Sequence, residues 1–315
     1  MNFKINAYLD RNFGDDMMIR IAAHELAGHM LFLEEQKKEL LIPFESIGNL
    51  CDADKNCSEY DAVIRLTGSA FVIHRKKDLI GATVEAFRPR PKQPMCLIGC
   101  NVGPFLNGWA KQLAIRGLKK YDLITVRDRY SYEFAKQYAA RSQVRYYPDL
   151  LFSIPGAWIP PNTGENCLGI SAYRNTVRPQ CNASFYRKMA QAADGFAEKT
   201  GRKVLLFAFD IESENDTAAA IAIKGLCRRQ DQIEIIVHND NGDNILKNMA
   251  RCGSFIAVRL HSAVLAMRMG IGFIPVIYSE KLKHLLSDLS YSGASFYIEN
   301  AKEIDVEQIA GVLAE

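Results

Sequence analysis

The residues best suited to chemistry are an arginine and a histidine, Arg259 and His261, which are separated by one residue. Arginine offers a planar fork of N–H donors that matches a carboxylate or phosphate. Histidine can hold or release a proton near neutral pH. Strand alternation would point both side chains the same way and turn Leu260 toward the core. The pair therefore predicts an anion site with a proton-transfer group, or else a structural ion pair beside a histidine that caps a turn.

This pair lies where a strand is predicted to give way to a helix. Residues 255–258 form an apolar, partly β-branched run that is typical of a buried strand, and apolar residues recur at helical spacing from Ser262 onward. Ser262 is predicted to be the N-cap of that helix. Ligands of open α/β sheets bind at the carboxyl ends of strands, and helix N-termini favour anions. We expect a negatively charged ligand at this junction.

Strands and helices alternate through the rest of the chain. Strands are predicted at 3–8, 40–43, 60–69, 96–104, 122–128, 144–149, 167–172, 203–208, 233–236 and 273–277, several of them running into turns. Helices are predicted at 17–32, 183–200, 217–229 and 244–251. Further helices are predicted to end near residue 119 and to begin at residues 131, 262, 281 and 305. Residues 155–166, rich in Pro and Gly, form the clearest linker. The pattern predicts two doubly wound Rossmann-like α/β domains, 1–155 and 156–315, facing a cleft.

Composition narrows the class of protein. The chain is 48% hydrophobic and 24% charged, which is an ordinary globular mixture, and a net charge of +3 is too small for a typical nucleic-acid-binding protein. No apolar run has the length of a membrane span, and the first residues lack the pattern of a secretory signal. Scattered cysteines favour free thiols in a reducing cytoplasm. No metal cluster and no dinucleotide or P-loop motif is visible, so we expect a cytoplasmic protein without a metal or cofactor.

Other polar or glycine-rich segments also follow predicted strands. Asn12 and Gly14 stand in a turn before the first helix, where Asp15 and Asp16 counter the helix dipole and could also contact a ligand. Small turns, which let a ligand approach the backbone, occur at Gly68-Ser69 and at Gly103. Arg127 has the same local setting as Arg259. An ion pair of Arg127 with Asp128 or Asp149 is the structural alternative.

Taken in order, these segments resemble the motifs of the polysaccharide pyruvyl transferase family. The matching segments are Asn12-Phe13-Gly14-Asp15-Asp16, Asp61 to Ser69, Gly103-Pro104, Thr125-Val126-Arg127-Asp128 with Ser131, Pro148-Asp149, Arg259-Leu260-His261-Ser262, and Tyr278 with Lys281. Single segments are weakly specific, but the ordered series is fairly specific, and Arg-Leu-His is its strongest member. The chain departs from the family in residues 7–11, where members usually carry glycines.

The resemblance implies a GT-B-like fold and a reaction. A pyruvyl group would pass from phosphoenolpyruvate to two hydroxyls of a sugar, forming a ketal and releasing phosphate. The C-terminal domain would hold the donor and the N-terminal domain the acceptor. Donor contacts are expected from Arg127, Arg259, Ser262 and Lys281, and acceptor contacts from Asn12, Gly14, Asp16, Gly68, Ser69 and Gly103. His261 is the candidate acid, and Asp15, Asp16 or a returning His261 the candidate base. A lipid-linked acceptor would place the enzyme at the inner face of the membrane.

Two other functions fit the same residues. In a glycosyltransferase of this architecture, Arg259 and Lys281 would bind the diphosphate of a nucleotide sugar. In a non-catalytic sugar- or anion-binding protein, the fold and the anion site would remain without turnover. Binding of phosphoenolpyruvate, of a nucleotide, or of neither distinguishes the three.

Overall fold

The chain divides into two compact units. The computed structural model describes residues 1–34, 38–53, 59–239 and 241–303. Unit 1 consists of Met1–Leu9 and Met18–Leu150, and unit 2 of Asp10–Met17 and the residues from Leu151 onward. The short segment Asp10–Met17, which the sequence analysis assigned to the N-terminal domain, therefore groups with unit 2.

Unit 1 is built on a parallel sheet that has eight strands within the described ranges. The strands are β1 (Asn2–Ala7), β2 (Met30–Leu33), β3 (Leu50–Asp52), β4 (Ala62–Leu66), β5 (Ser69–Ala70), β6 (Met95–Val102), β7 (Leu123–Val126) and β8 (Gln143–Tyr146). Their order is β3-β2-β1-β4-β6-β7-β8, and β5 pairs with β6. The helices are α1 (Phe13–Glu25), whose first turn belongs to unit 2, α2 (Asp78–Phe87), α3 (Gly108–Leu118) and α4 (Arg129–Tyr138).

Unit 2 holds a second parallel sheet with the strand order β11-β10-β9-β12-β13-β14. Its strands are β9 (Cys167–Ala172), β10 (Val204–Ala208), β11 (Ile233–Val237), β12 (Cys252–Ala257), β13 (Gly272–Ile277) and β14 (Phe296–Tyr297). Its helices are α5 (Asn182–Thr200), α6 (Asp216–Leu226), α7 (Asp243–Met249), α8 (Leu260–Arg268) and α9 (Glu280–Asp288). Every residue of β9 and β10 is buried, as expected for central strands covered by helices on both faces. The two doubly wound α/β sheets predicted from the sequence are confirmed.

Two predicted elements in the first half of the chain were wrong. The predicted helix at 17–32 starts earlier, at Phe13, and ends at Glu25; the apolar residues Met30–Leu33 form strand β2 instead. A four-residue apolar run is too short for periodicity to separate strand from helix. The predicted strand at 40–43 consists of 3-10 turns at Lys38–Leu40 and Ile42–Phe44, because Pro43 cannot donate to a ladder and suits a first helical turn.

The predicted linker contains a short helical turn. The linker at 155–166 contains the 3-10 turn Gly156–Trp158. The helix predicted from residue 305 lies outside the described residues. Among the helices that are described, none combines the length and the apolar character needed to cross a bilayer.

Candidate active site

The carboxyl ends of the parallel strands of unit 2 gather polar side chains at one edge of the sheet. Tyr173 follows β9, Asp210 follows β10, His238 follows β11, Arg259 follows β12 and Tyr278 follows β13. The strands are mainly apolar because helices cover them, and these five side chains stand where each strand leaves the sheet. This edge is the candidate site.

Arg259 is the centre of a buried ion network. Its Nε and Nη2 donate to the two carboxylate oxygens of Asp216 at 2.9 and 2.7 Å, and its Nη1 donates to Glu214. The guanidinium lies 4.8 Å from the centre of the Tyr173 ring. The side chain of Arg259 is only 9% exposed. The predicted anion-binding arginine is thus present at the strand end, and it already carries two protein carboxylates.

The charges of this network stabilise one another. Burial by itself would lower the pKa of Arg259, but the carboxylate of Asp216, together with Tyr278 and Glu214, raises that pKa well above its ordinary value. Burial raises the pKa of Asp216, and Arg259 opposes this. The guanidinium is therefore a permanent cation held by Glu214, on the loop that joins β10 to α6, and by Asp216, the first residue of α6.

The predicted role of Ser262 as a helix cap was wrong. Helix α8 begins at Leu260, and Arg259 occupies the N-cap position without a side-chain cap. Ser262 is fully buried, and its hydroxyl donates to the carbonyl of Arg259 at 2.7 Å. The hydroxyl ties the first turn of α8 to the strand end. Its predicted contact with a donor phosphate stays a prediction.

His261 lies against the first turn of α1. A β-carbon built on Gly14 would be 1.6 Å from Nδ1 of His261, so the imidazole occupies the space that any other residue at position 14 would need. The glycine of the Asn-x-Gly-Asp segment is therefore explained by packing on the predicted acid.

Backbone and side-chain hydrogen bonds fix this first turn. Asn12 Oδ1 accepts from the N–H of Gly14 at 3.1 Å, which caps α1. Asn12 Nδ2 donates to Asp210 at 3.3 Å, and the N–H of Phe13 donates to the carbonyl of Phe209 at 2.8 Å. Asn12 and Asp210 also form an isolated antiparallel bridge. The segment that was predicted to face the acceptor is in this way anchored beside Arg259 and His261 in unit 2.

The two acids of that turn have different surroundings. Asp15 is half-buried. Asp16 is 3% exposed, and its Oδ2 lies 2.8 Å from Nε2 of His238, which is 1% exposed. Burial raises the pKa of Asp16, and His238 opposes this. The predicted acceptor contact of Asp16 is untested, and the structure gives its carboxylate a buried imidazole partner.

Asp10, which the sequence analysis did not select, adds another carboxyl group to this region. It is 7% exposed. Burial, reinforced by the negative charges of Asp210 and Asp15, raises its pKa to about 8, while Ser213 opposes the shift. Near neutral pH the carboxyl group of Asp10 thus carries a proton.

The remaining predicted site residue of unit 2 is Lys281. It lies half-buried in the first turn of α9, directly after β13 and Tyr278. A cation is unfavourable at a helix N-terminus, and the predicted donor contact of Lys281 stays a prediction.

Four predicted site residues belong to unit 1. Arg127 donates to Asp149 at 2.5 Å and to Asn101 at 2.8 Å, and it is 5% exposed. The alternative of an Arg127–Asp149 ion pair is therefore confirmed, and a donor contact of Arg127 stays a prediction. Ser69 pairs with Asn101 in the sheet, the carbonyl of Gly68 accepts from the N–H of Asn101, and Gly103 follows β6. Gly68, Ser69 and Gly103 thus share one corner of unit 1.

Sequence reasoning missed Glu214, Asp216 and His238. The rule that selected Arg259, a polar residue directly after a buried strand, also selects Asp210 and His238. Glu214 lies farther along the β10–α6 loop and Asp216 is the first residue of α6, where no local pattern marks them. Across the described part of the chain, no group of three or more His, Cys, Asp or Glu side chains is arranged to hold a metal ion.

Comparisons with known proteins agree with this architecture. In solved structures the fold resembles MnaA of S. aureus determined with UDP (TM-score 0.59, 9% identity, 100% of this chain and 90% of that chain). It also resembles UDP-GlcNAc 2-epimerase of Neisseria meningitidis bound to UDP-GlcNAc (TM-score 0.57, 8% identity, 100% and 94%). A third similar structure is HepE of Anabaena in complex with UDP and glucose (TM-score 0.54, 14% identity, 99% and 92%). The fold is GT-B-like.

The family is settled by sequence. The family model described as polysaccharide pyruvyl transferase matches residues 11–280. The chain belongs to the polysaccharide pyruvyl transferase family, which is a family of enzymes, and the resemblance read from the motifs is confirmed. No curated protein sequence matches the chain.

Proposed function

We propose that this protein transfers a pyruvyl group from phosphoenolpyruvate to two hydroxyls of a sugar in a polysaccharide or glycan precursor. The observation that carries the proposal is the strand-end arrangement of unit 2, in which Arg259 and the His261–Gly14 contact lie at the same edge. An enol ester with a carboxylate and a phosphate needs cations and an acid. Arg259 and Lys281 supply the cations, and His261 supplies the acid.

The proposed reaction begins with proton transfer to phosphoenolpyruvate and continues with two hydroxyl attacks. His261 donates a proton to the methylene carbon of phosphoenolpyruvate, and the adjacent carbon becomes electrophilic. One sugar hydroxyl attacks that carbon, and the C–O bond to phosphate then breaks. The second hydroxyl attacks the same carbon and closes the ketal. Of the two hydroxyl protons, one replaces the proton that His261 gave to the methyl group, and the other leaves with phosphate.

General acid catalysis of this kind is typically worth about 10²–10⁴-fold. His261→Ala is therefore expected to lower turnover by about that factor and to change donor affinity little. A variant with wild-type turnover would remove His261 as the acid.

The first experiment is calorimetric titration of phosphoenolpyruvate into the wild type and Arg259→Ala, with UDP and GDP as control ligands. Loss of a charge-assisted hydrogen bond, worth about 1.5–3 kcal/mol, should weaken phosphoenolpyruvate binding by about one to two decades. The matched control is Arg251→Ala. Arg251 precedes β12 whereas Arg259 follows it, and Arg251 is also ion-paired, with Glu165 and Glu234.

The outcomes separate the alternatives. Phosphoenolpyruvate binding that is lost in Arg259→Ala and kept in Arg251→Ala supports the proposal. Arg259→Lys, which keeps the charge but not the fork, distinguishes donor binding from loss of folding. Tight binding of UDP or GDP without phosphoenolpyruvate would overturn the proposal in favour of nucleotide-sugar transfer. The known structures that carry UDP share the fold alone with this chain.

A further inference from the structure

We propose that the outer face of helices α2 and α3 in unit 1 docks on an anionic lipid surface. The proposal goes beyond the reaction and does not depend on it, because it rests on the surface of unit 1. The experiment that tests it measures binding to lipid vesicles and not turnover.

Large apolar side chains form a solvent-facing stripe on α2. Ile80, Val84 and Phe87 are 74%, 56% and 55% exposed, and their spacing of four and three residues places them on one helix face. The opposite face of α2 is already used: Ala86 is buried, and Leu79 and Ala82 pack against the cluster that contains Ile73 and Leu113. The exposed stripe is therefore a second apolar face, which a helix at the surface of a globular unit does not need.

Helix α3 extends this face with an aromatic residue. Trp109 is 59% exposed and lines the same groove as Phe87 and Arg116. The guanidinium of Arg116 lies 4.2 Å from the centre of the Phe87 ring, and its Nε donates to the carbonyl of Ala86 at 3.1 Å. Tryptophan and phenylalanine with a neighbouring arginine are the composition that the boundary between headgroups and acyl chains favours. We call Ile80, Val84, Phe87 and Trp109 the apolar patch.

Basic residues flank the patch at both ends of α2. Residues 75–92 contain six Lys or Arg and two acids, a net charge of +4, while the whole chain carries +3. Arg75, Lys76 and Lys77 precede α2, and Arg88, Arg90 and Lys92 follow it; all six are exposed. The segment around the apolar patch thus carries more positive charge than the whole chain does in net.

The two acids of this segment are compensated. Asp78 accepts from the backbone N–H of Arg75 at 2.9 Å and from that of His74 at 3.3 Å. Glu85 lies 3.8 Å from Arg65 and 3.6 Å from Arg88. Arg90 is in turn paired with Asp122 at 2.5 Å. The net positive charge that remains around aliphatic and aromatic residues favours a negatively charged surface with an apolar interior. Anionic lipid provides both features over the whole face, whereas a protein partner would need acids at both ends of α2.

The experiment uses the full chain with vesicles of equal parts phosphatidylglycerol and phosphatidylcholine, and with vesicles of phosphatidylcholine alone. The chain has two tryptophans, Trp109 and Trp158, so the variant Trp158→Phe leaves Trp109 as the only indole reporter. Flotation measures binding, and the emission of Trp109 reports entry into the lipid. We expect flotation with the anionic vesicles, little with the neutral ones, and a blue shift of Trp109 on binding.

Matched variants test the two components of the surface. Ile80→Ser with Phe87→Ser should lower the partition coefficient about tenfold or more. The reason is that burying each apolar side chain in lipid contributes a free energy that corresponds to about that factor. Lys76→Glu with Lys92→Glu should remove the preference for anionic vesicles. The controls are Ile221→Ser, at an isoleucine of α6 that is 59% exposed, and Arg202→Glu, at an exposed arginine of unit 2. These six positions are exposed, so thermal unfolding of their variants should match that of the protein without them.

Several results would overturn the proposal. They are no flotation of the wild type with anionic vesicles, equal flotation of the patch variants and the controls, or an unchanged emission of Trp109 on binding. Self-association that the patch variants abolish, in the absence of vesicle binding, would make the patch an interface between copies of this chain and would also overturn it.

Discussion

The imidazole of His261 takes the place of a side chain at Gly14, because a β-carbon on Gly14 would lie 1.6 Å from its Nδ1. The two residues are far apart in the sequence, and both belong to unit 2. The ring fills the space of that absent β-carbon, so packing against Gly14 restricts its position. Gly14 is therefore a positioning residue for His261.

Gly14→Ala should displace the imidazole and lower turnover about 10²-fold, since small misplacement of a catalytic group has effects of that size. Overpacking should also cost about 1–3 kcal/mol of unfolding free energy. Steady-state kinetics with phosphoenolpyruvate and urea unfolding measure the two effects.

The control for this substitution is Gly225→Ala. Gly225 also lies in a helix of unit 2, and a β-carbon there meets nothing within 4 Å. Its replacement should leave turnover unchanged and stabilise the fold by about 0.4–1 kcal/mol. Equal turnover in Gly14→Ala and Gly225→Ala would contradict the positioning role.

Glu214→Gln should tighten the binding of phosphoenolpyruvate about tenfold. Of the carboxylates that contact Arg259, Glu214 is 24% exposed and Asp216 is 0% exposed, so Glu214 is the partner that an incoming anion can replace. Removing its charge removes a competing charge-assisted hydrogen bond worth about 1.5–3 kcal/mol. Calorimetry measures the change in Kd, with Glu212→Gln on the same loop as the control.

Weaker binding in Glu214→Gln would show that Glu214 orients Arg259 for the donor instead of competing with it. An equal change in Glu212→Gln would assign the effect to the overall charge of the loop.

The sequence predicted unit 2 better than unit 1 because of the composition of its strands. Cys167–Ala172 is predicted and observed as a strand with the same bounds, since this six-residue run follows a segment rich in Pro and Gly and is too short for a buried helix. Unit 1 contains Met30–Leu33 and the 3-10 turn at Ile42–Phe44, where short runs and a proline leave the period ambiguous. Helix α2 was missed because its apolar residues face both inward and outward.

The site was predicted only as far as local rules reach. Arg259 and His261 could be selected because each stands at a strand end. The partners of Arg259 could not, since Asp216 lies 43 residues away and nothing in the β10–α6 loop indicates the pairing. The contact between Asp16 and His238 spans 222 residues. The Asp16–His238 contact follows from the packing of the segment Asp10–Met17 within unit 2, which strand and helix periodicity does not encode.

His238→Ala should destabilise the protein by about 3–5 kcal/mol. Asp16 and His238 form a hydrogen-bonded pair with side chains 4% and 1% exposed, and removal of one partner leaves a buried polar group without compensation. Asp16→Ala combined with His238→Ala should cost less than the sum of the single substitutions. Urea unfolding of the four proteins measures the coupling, and additive effects would contradict a direct pair. The exposed His24→Ala serves as the control.

Asp10 should make the protein less stable as the pH rises from about 4 to about 8. Burial and the neighbouring Asp210 raise its pKa in the folded state to about 8 from the ordinary 3.8. The folded protein therefore holds a proton that the unfolded chain releases, and each pH unit between those values favours unfolding by up to about 1.4 kcal/mol. Below about pH 4 and above about pH 8 this contribution no longer changes with pH.

Asp10→Asn removes the titrating proton, so its unfolding free energy should fall less steeply between pH 5 and pH 8 than that of the wild type. The amide should also make the variant more stable than the wild type at pH 8, where the wild-type carboxyl group begins to lose its proton inside the fold. Urea unfolding at intervals across this range gives both slopes. Asp231→Asn, at an exposed acid, should leave the slope unchanged, and a slope in Asp10→Asn equal to that of Asp231→Asn would contradict the assignment of the proton to Asp10.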